Sequence, residues 1–190
     1  MVKQLTRLRG TYAEFVTAPG ELFAPAPTGL GLDAAAAAPL TALTASQLVS
    51  KLELSAGATV LVTRAAGAVG RVAVQLLIRT GHEVHGLARS TDEEDLTSLG
   101  TVAVYSSSAD IPLRTFDAVI DTAGLPETIS NVRDGGEFLS ITDNEQPGPE
   151  RGIDPRKSYV EESGPQLAAI AEQLADGSLS VPHGRVYPLA

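Results

Sequence analysis

Between residues 59 and 80 the hydrophobic positions change rhythm once, and the rest of the chain is placed relative to that change. Residues 59–62 are a run of β-branched and aliphatic side chains; small residues follow, and apolar positions then recur at Val69, Val72, Ala73, Leu76 and Leu77. The first rhythm is that of a buried strand and the second that of one helix face. Strand, tight turn and helix are expected in that order.

The same reading extends in both directions. Upstream, residues 12–17 (YAEFVT) read as a strand and the Pro- and Gly-rich stretch 19–29 as an extended, turning connection. Asp33 is the expected N-cap of a helix from Ala34 to about Leu52, bent near its start by Pro39. Downstream, strands are expected at residues 83–87, 101–105, 116–121, 138–142, 158–160 and 185–187. Thr91 with Glu94 reads as a capping box opening a short helix towards Leu99. A short helix over 126–132, a turn at 134–136, and a helix capped by Ser163 and stopped at Gly177 complete the pattern. The loops are 106–112 and 143–156; the second, rich in Pro, Gly and charge, is the segment expected to be mobile. Strands alternating with helices through residues 59–176 imply a parallel sheet with right-handed crossovers, a doubly wound Rossmann-like α/β fold. The domain is expected to occupy residues 33–190, after an N-terminal segment of residues 1–32.

Composition narrows the function classes. A chain of 190 residues suffices for one domain with a substantial core. Its formal net charge of −9 argues against nucleic acid or an anionic membrane as main partner, because both call for clustered Lys and Arg. No cysteine is present, which removes disulfides, thiolate metal sites and cysteine nucleophiles together. No signal peptide or spanning apolar run is visible, so a cytoplasmic address is expected.

Candidate chemistry gathers at the carboxyl ends of the expected strands, where ligands bind such sheets. Arg64, Arg89, Asp121, Thr122, Gly124, Thr142 and Asp143 would surround one crevice. Ala65, Gly67 and Gly70 stand at the spacing of the dinucleotide fingerprint, with Ala68 and Val69 between the last two. A helix opening there carries unpaired N–H groups and a partial positive charge that favour an anion. Arg64, at the lip of the turn, either meets a phosphate or fills its space. Arg89 with Ser90 could contact a further phosphate. Asp121 is a candidate acid or base, or a cap for the next turn. The three histidines, His82, His85 and His183, lack the spacing with carboxylates that a metal site requires, and no metal is expected. No Ser lies in a G-x-S-x-G elbow.

The blocks GTYAEFV, PLTALTA, TVLVTRAAGAVGRVAVQL, FDAVIDTAG and GGEFLSI resemble, in order, the quinone-oxidoreductase group of zinc-free medium-chain dehydrogenases, which includes polyketide enoylreductase domains. The resemblance implies a Rossmann fold and an NADP cofactor, held at Ala65, Gly67, Ala68, Val69, Gly70, Thr122 and Gly124, with Arg89 and Ser90 at its 2′-phosphate. It also implies a homodimer paired through an edge strand at residues 157–160. The departures are specific. Relatives usually carry Gly where this chain has Arg64 and Ala68, and Asp92, Glu93, Glu94 and Asp95 stand where a second cation is often found. The catalytic domain that covers the nicotinamide in such proteins matches here only in its last strand, residues 12–17, so residues 1–32 read as its remnant.

Those departures lead to an expectation of repurposing. The expected activity is non-redox chemistry on a hydrophobic polyketide- or quinone-like small molecule, a cyclisation, isomerisation or conjugate addition, with Arg64 polarising a carbonyl and Asp121 in attendance. The alternatives are an NAD(P)H-dependent quinone or enone reductase, and a non-catalytic nucleotide-binding or assembly module.

Overall fold

The computed structural model describes residues 15–143 and 146–187. Six parallel strands form one sheet in the order β3-β2-β1-β4-β5-β6, comprising β1 (Thr59–Thr63), β2 (Glu83–Leu87), β3 (Ala103–Tyr105), β4 (Phe116–Asp121), β5 (Val132–Ser140) and β6 (Arg156–Lys157). The helices are α1 (Leu32–Ala36), α2 (Ala38–Ser50), α3 (Ala68–Arg79), α4 (Glu93–Leu99) and α5 (Gly164–Ala175). This is the expected Rossmann-like α/β fold. The strand order reverses between β1 and β4, which opens a crevice at their carboxyl ends.

Burial explains the central strands. Val60, Leu61 and Val62 of β1 and Ala118, Val119 and Ile120 of β4 are fully buried, so both faces of the sheet are covered and near-continuous apolar runs are required. One cluster joins Leu61, Phe116, Val119, Phe138, Ile129 and Ile153. In α3, Val72, Ala73 and Leu77 are buried while Arg79 in its last turn is exposed, as an amphipathic helix on a sheet requires.

The described residues pack as two compact units, residues 44–159 and residues 15–43 with 160–187. The first contains the whole sheet. In the second, Gly164 opens α5 against the backbone carbonyls of Glu21 and Phe23, where an added Cβ would come within 2.4 and 2.5 Å of their oxygens. That unit also carries an open apolar cavity of about 590 Å³ lined by Leu22, Phe23, Leu40, Leu43, Ile170 and Leu174.

Several expectations need correcting. Of residues 12–17, the first three lie outside the described residues, and Phe15, Val16 and Thr17 pair with no strand. The helix expected from Ala34 is two: the chain breaks at Ala37, Gly31 rather than Asp33 occupies the N-cap, and Pro39 falls in the first turn of α2, where a missing N–H costs nothing. The Thr91/Glu94 capping box does not form, because residues Ser90–Asp92 make a 3₁₀ turn and α4 begins only at Glu93. The turn at 134–136 sits inside β5 as a bulge, between the pairs Phe116↔Val132 and Ala118↔Glu137. The edge strand is Arg156–Lys157, not residues 158–160, and residues 185–187 form no strand. Part of the loop expected to be mobile is anchored: Glu150 and Ile153 exchange backbone hydrogen bonds across a two-residue turn, and Ile153 is buried in the core. Residues 144–145 of that loop lie outside the described residues.

No helix among the described residues is long and apolar enough to cross a membrane. Among them, no group of three or more His, Cys, Asp or Glu side chains could hold a metal ion.

Candidate functional site: the cleft at the carboxyl ends of β1, β2 and β4

The turn after β1 is shaped by contacts too close for side chains. Gly70 lies so near the Arg64 carbonyl that an added Cβ would be 2.4 Å from its oxygen. Ala65 N–H donates to the Leu87 carbonyl (3.0 Å) and Gly67 N–H to the Arg64 carbonyl (2.8 Å), closing the turn on β2. Gly67 is the N-cap of α3, and no side chain caps that end. The first amides of the helix, at Ala68, Val69 and Gly70, therefore face outward with the positive end of the helix dipole.

Arg64 holds an unusual backbone. Its φ of 49° lies in the left-handed region that Gly occupies freely and an L side chain does not. The stem folds over the turn, with Cγ 3.0 Å and Cδ 3.3 Å from the place a Gly67 Cβ would take. The residue is exposed, and its guanidinium makes no ion pair among the described residues.

The turn after β4 is built differently. Asp121 is 1% exposed. Its Oδ1 accepts from Thr63 Oγ1 (2.7 Å), Ala123 N–H (3.1 Å) and Gly124 N–H (3.0 Å), while Oδ2 accepts from Leu125 N–H (2.9 Å). Thr122 ties the same turn to β1, its N–H donating to Thr63 Oγ1 (3.0 Å) and its hydroxyl to the Thr63 carbonyl (2.7 Å). A carboxylate so fully engaged holds a loop and presents no free oxygen to a substrate. Of its two expected roles, Asp121 has the geometry of the cap.

Between these turns lies an open cleft of about 650 Å³ lined by Arg64, Ala66, Gly67, Leu87, Ala88, Arg89, Asp92, Ser106, Ser108, Ala123 and Leu125. Of the expected site residues, Arg64, Gly67 and Arg89 line it. Ala65, Gly70, Asp121 and Thr122 are buried behind it, and Ala68, Val69, Ser90 and Gly124 flank it without lining it. Thr142 and Asp143 belong elsewhere, Asp143 paired with Lys157. Four residues that matter were missed: Thr63, Ser106, Ser108 and Asp92 as a cleft residue. For Thr63 a signal existed, since a polar residue ending an otherwise apolar buried strand needs a partner on the next strand.

Two of the four acids after Ser90, Asp92 and Asp95, are paired with arginines. Asp92 grips Arg89 with both oxygens (Nε 2.9 Å, Nη2 3.2 Å), and Asp95 pairs with Arg71. Arg89 is held further above its ordinary pKa by the Asp92 hydrogen bond and then by the Asp92 charge. Beside the core phenylalanine Phe116, the Tyr105 hydroxyl lies 3.4 Å from His85 Nδ1. Burial disfavours the imidazolium and lowers the His85 pKa, against a smaller opposing pull from Glu83.

No family model matches the sequence. Two plant proteins of Arabidopsis thaliana do. The chloroplast envelope quinone oxidoreductase homolog is 33% identical over 156 residues, 74% of this chain and 46% of that protein. A chloroplastic NADPH-dependent alkenal/one oxidoreductase is 28% identical over 140 residues, 70% of this chain and 36% of its own. Among solved structures, an NAD-dependent alcohol dehydrogenase superposes with a TM-score of 0.77 at 30% identity, covering 90% of this chain and 56% of that one. Homologues and structural neighbours alike are medium-chain dehydrogenase and quinone oxidoreductase proteins. Polyketide synthases of Streptomyces are among the homologues as well. The chain spans less than half the length of either plant relative.

The cleft suits the dinucleotide of such proteins in its scaffold. Gly70 permits the close approach of turn and helix, Gly67 leaves backbone bare, and the α3 amides are uncapped. The obstruction is the Arg64 stem over Gly67. It is exposed and makes no ion pair among the described residues.

Proposed function

We propose that the cleft binds a nicotinamide dinucleotide and that the chain supplies the cofactor-binding part of a quinone or enone reductase. The observation that carries this reading is the uncapped N-terminus of α3 facing a cleft with two cations, Arg64 and Arg89, on its rim. The amides of Ala68, Val69 and Gly70, with the Arg64 guanidinium swung outward, would hold the pyrophosphate. Arg89 and Ser106 stand on the β2 and β3 side of the cleft, within the part that would receive the adenosine ribose. Thr63 and Asp121 fix the turn that presents Ala123 and Leu125 as the apolar wall. The cofactor, when bound, supplies hydride; this chain's residues bind it, orient it and line the space beside it.

The non-redox reading rests on one observation, the Arg64 stem lying across Gly67 with its guanidinium unpaired. A cation fixed there would exclude a pyrophosphate and could polarise a substrate carbonyl instead. Titration with NADH and NADPH, followed by nicotinamide fluorescence, separates the readings. Saturable binding of either nucleotide, with loss of absorbance at 340 nm on adding a simple quinone, is the expected result. Binding without turnover would leave a nucleotide-binding module. No binding of either nucleotide would sink the cofactor reading and leave the non-redox one.

A further inference from the structure

Resting on the cofactor reading above, we infer that Asp92 sets this chain's choice of dinucleotide, favouring the ribose 2′-hydroxyl of NAD(H) over the 2′-phosphate of NADP(H). The folded geometry reverses what the residue types alone suggest. Arg89 after β2 suggests a 2′-phosphate site, since a guanidinium fork matches a phosphate bidentately. In the folded chain one edge of that fork, Nε with Nη2, is already taken. Asp92 accepts from Nε at 2.9 Å and from Nη2 at 3.2 Å, and both residues line the cleft. The Arg89 side chain is 82% exposed and that of Asp92 only 20%, so the acid is the better-seated partner.

A 2′-phosphate arriving at Arg89 must displace a carboxylate or sit beside it. Either course opposes two anions over one cation, and like charges that close repel. A 2′-hydroxyl faces neither difficulty. It can donate to the carboxylate, the role an acidic residue downstream of the fingerprint plays for NAD, and the Arg89–Asp92 pair stays intact. The neighbouring acids do not relieve the clash. Asp95 is turned to Arg71, and Glu93 and Glu94 are exposed and add negative potential around the α4 start. Ser106 and Ser108, also on the cleft, are neutral and serve either ribose.

The substitution Asp92→Asn tests this. It keeps the side-chain size, removes the charge and releases Arg89. Binding of NADH and NADPH to the unmodified chain and to D92N, measured by isothermal titration calorimetry, gives two affinity ratios. The unmodified chain is expected to bind NADH at least as tightly as NADPH. D92N is expected to shift the ratio at least tenfold towards NADPH, and the double variant R89A/D92N to lose most of that shift. D92S, without an amide to hold Arg89, should repeat the shift should D92N prove unstable. A clear NADPH preference in the unmodified chain, or an unchanged ratio in both single variants while both nucleotides bind, overturns the inference alone. Failure of both nucleotides to bind the unmodified chain and every variant removes the cofactor reading and this inference with it.

Discussion

Two turns stand side by side at the carboxyl ends of β1 and β4, and they solve the same problem by opposite means. The β4 turn is held from within: one buried carboxylate collects a hydroxyl and three backbone N–H groups, and a threonine on β1 completes the knot. The β1 turn is held by proximity, with backbone against backbone at Gly67 and Gly70 and no side chain capping the helix. The first leaves no polar group over; the second leaves amides and a cation over. Satisfied polarity makes scaffold, and unsatisfied polarity at a surface makes a place for a ligand. The difference tells which turn can bind an anion more clearly than residue identity does, since Asp121 is as polar as Arg64.

The comparison breaks most visibly at Asp121. Replacing it by Ala removes the acceptor shared by the Thr63 hydroxyl and the N–H groups of Ala123, Gly124 and Leu125, of which Ala123 keeps Thr63 Oγ1 at 3.2 Å. A loss of about 3 kcal/mol or more is expected, since each unsatisfied buried donor costs about 1–3 kcal/mol. The urea midpoint would report it, and a loss below about 1 kcal/mol would show that the knot is dispensable.

The β1 turn should respond in the opposite sense. Arg64→Gly relieves a left-handed backbone and is expected to leave stability unchanged or raise it by up to about 1 kcal/mol. The same change removes a cation from the cleft, so dinucleotide affinity should fall about tenfold, the worth of one charge-assisted hydrogen bond. Tighter binding in R64G would instead identify Arg64 as an obstruction and favour the non-redox reading.

The smallest effect is expected at Asp117, four residues before Asp121 on the same strand and only half-buried. Burial alone would raise its pKa; the Thr59 N–H (2.8 Å) and the Arg133 guanidinium (2.6 Å) outweigh that and hold it below the usual carboxylate value. Its contribution is therefore complete above the unfolded-state pKa of about 4 and is lost as pH falls through the lower folded value. A surface pair of this kind is worth up to about 1 kcal/mol. D117N should flatten the acid limb of stability against pH by that amount, and an unchanged limb would contradict the assignment.

Much of this fold was legible in the sequence because period and burial agree where it matters. β2 and β4 fall where apolar runs placed them, and α3 follows its apolar face. What was not legible depended on competing local geometries. Residues Ser90–Asp92 contain a good capping pattern, yet the chain spends them on a 3₁₀ turn that brings Asp92 back to Arg89. The loop after β5 looked mobile by composition, but the buried side chain of Ile153 anchors it. In the site, spacing located the turn and its cation. It could not show that Asp121 is fully engaged, because that depends on Thr63, a residue 58 positions earlier in the chain.

Ala65 and Gly86 face one another across β1 and β2. A Cβ added at Gly86 would lie 2.9 Å from the Ala65 methyl. The two positions together have room for one methyl group, and this chain has placed it at 65. The constraint is heritable. A lineage that acquires Ala at 86 must first, or at once, return 65 to Gly, so the two sites should drift as a pair, with Gly–Ala and Ala–Gly both represented and Ala–Ala avoided.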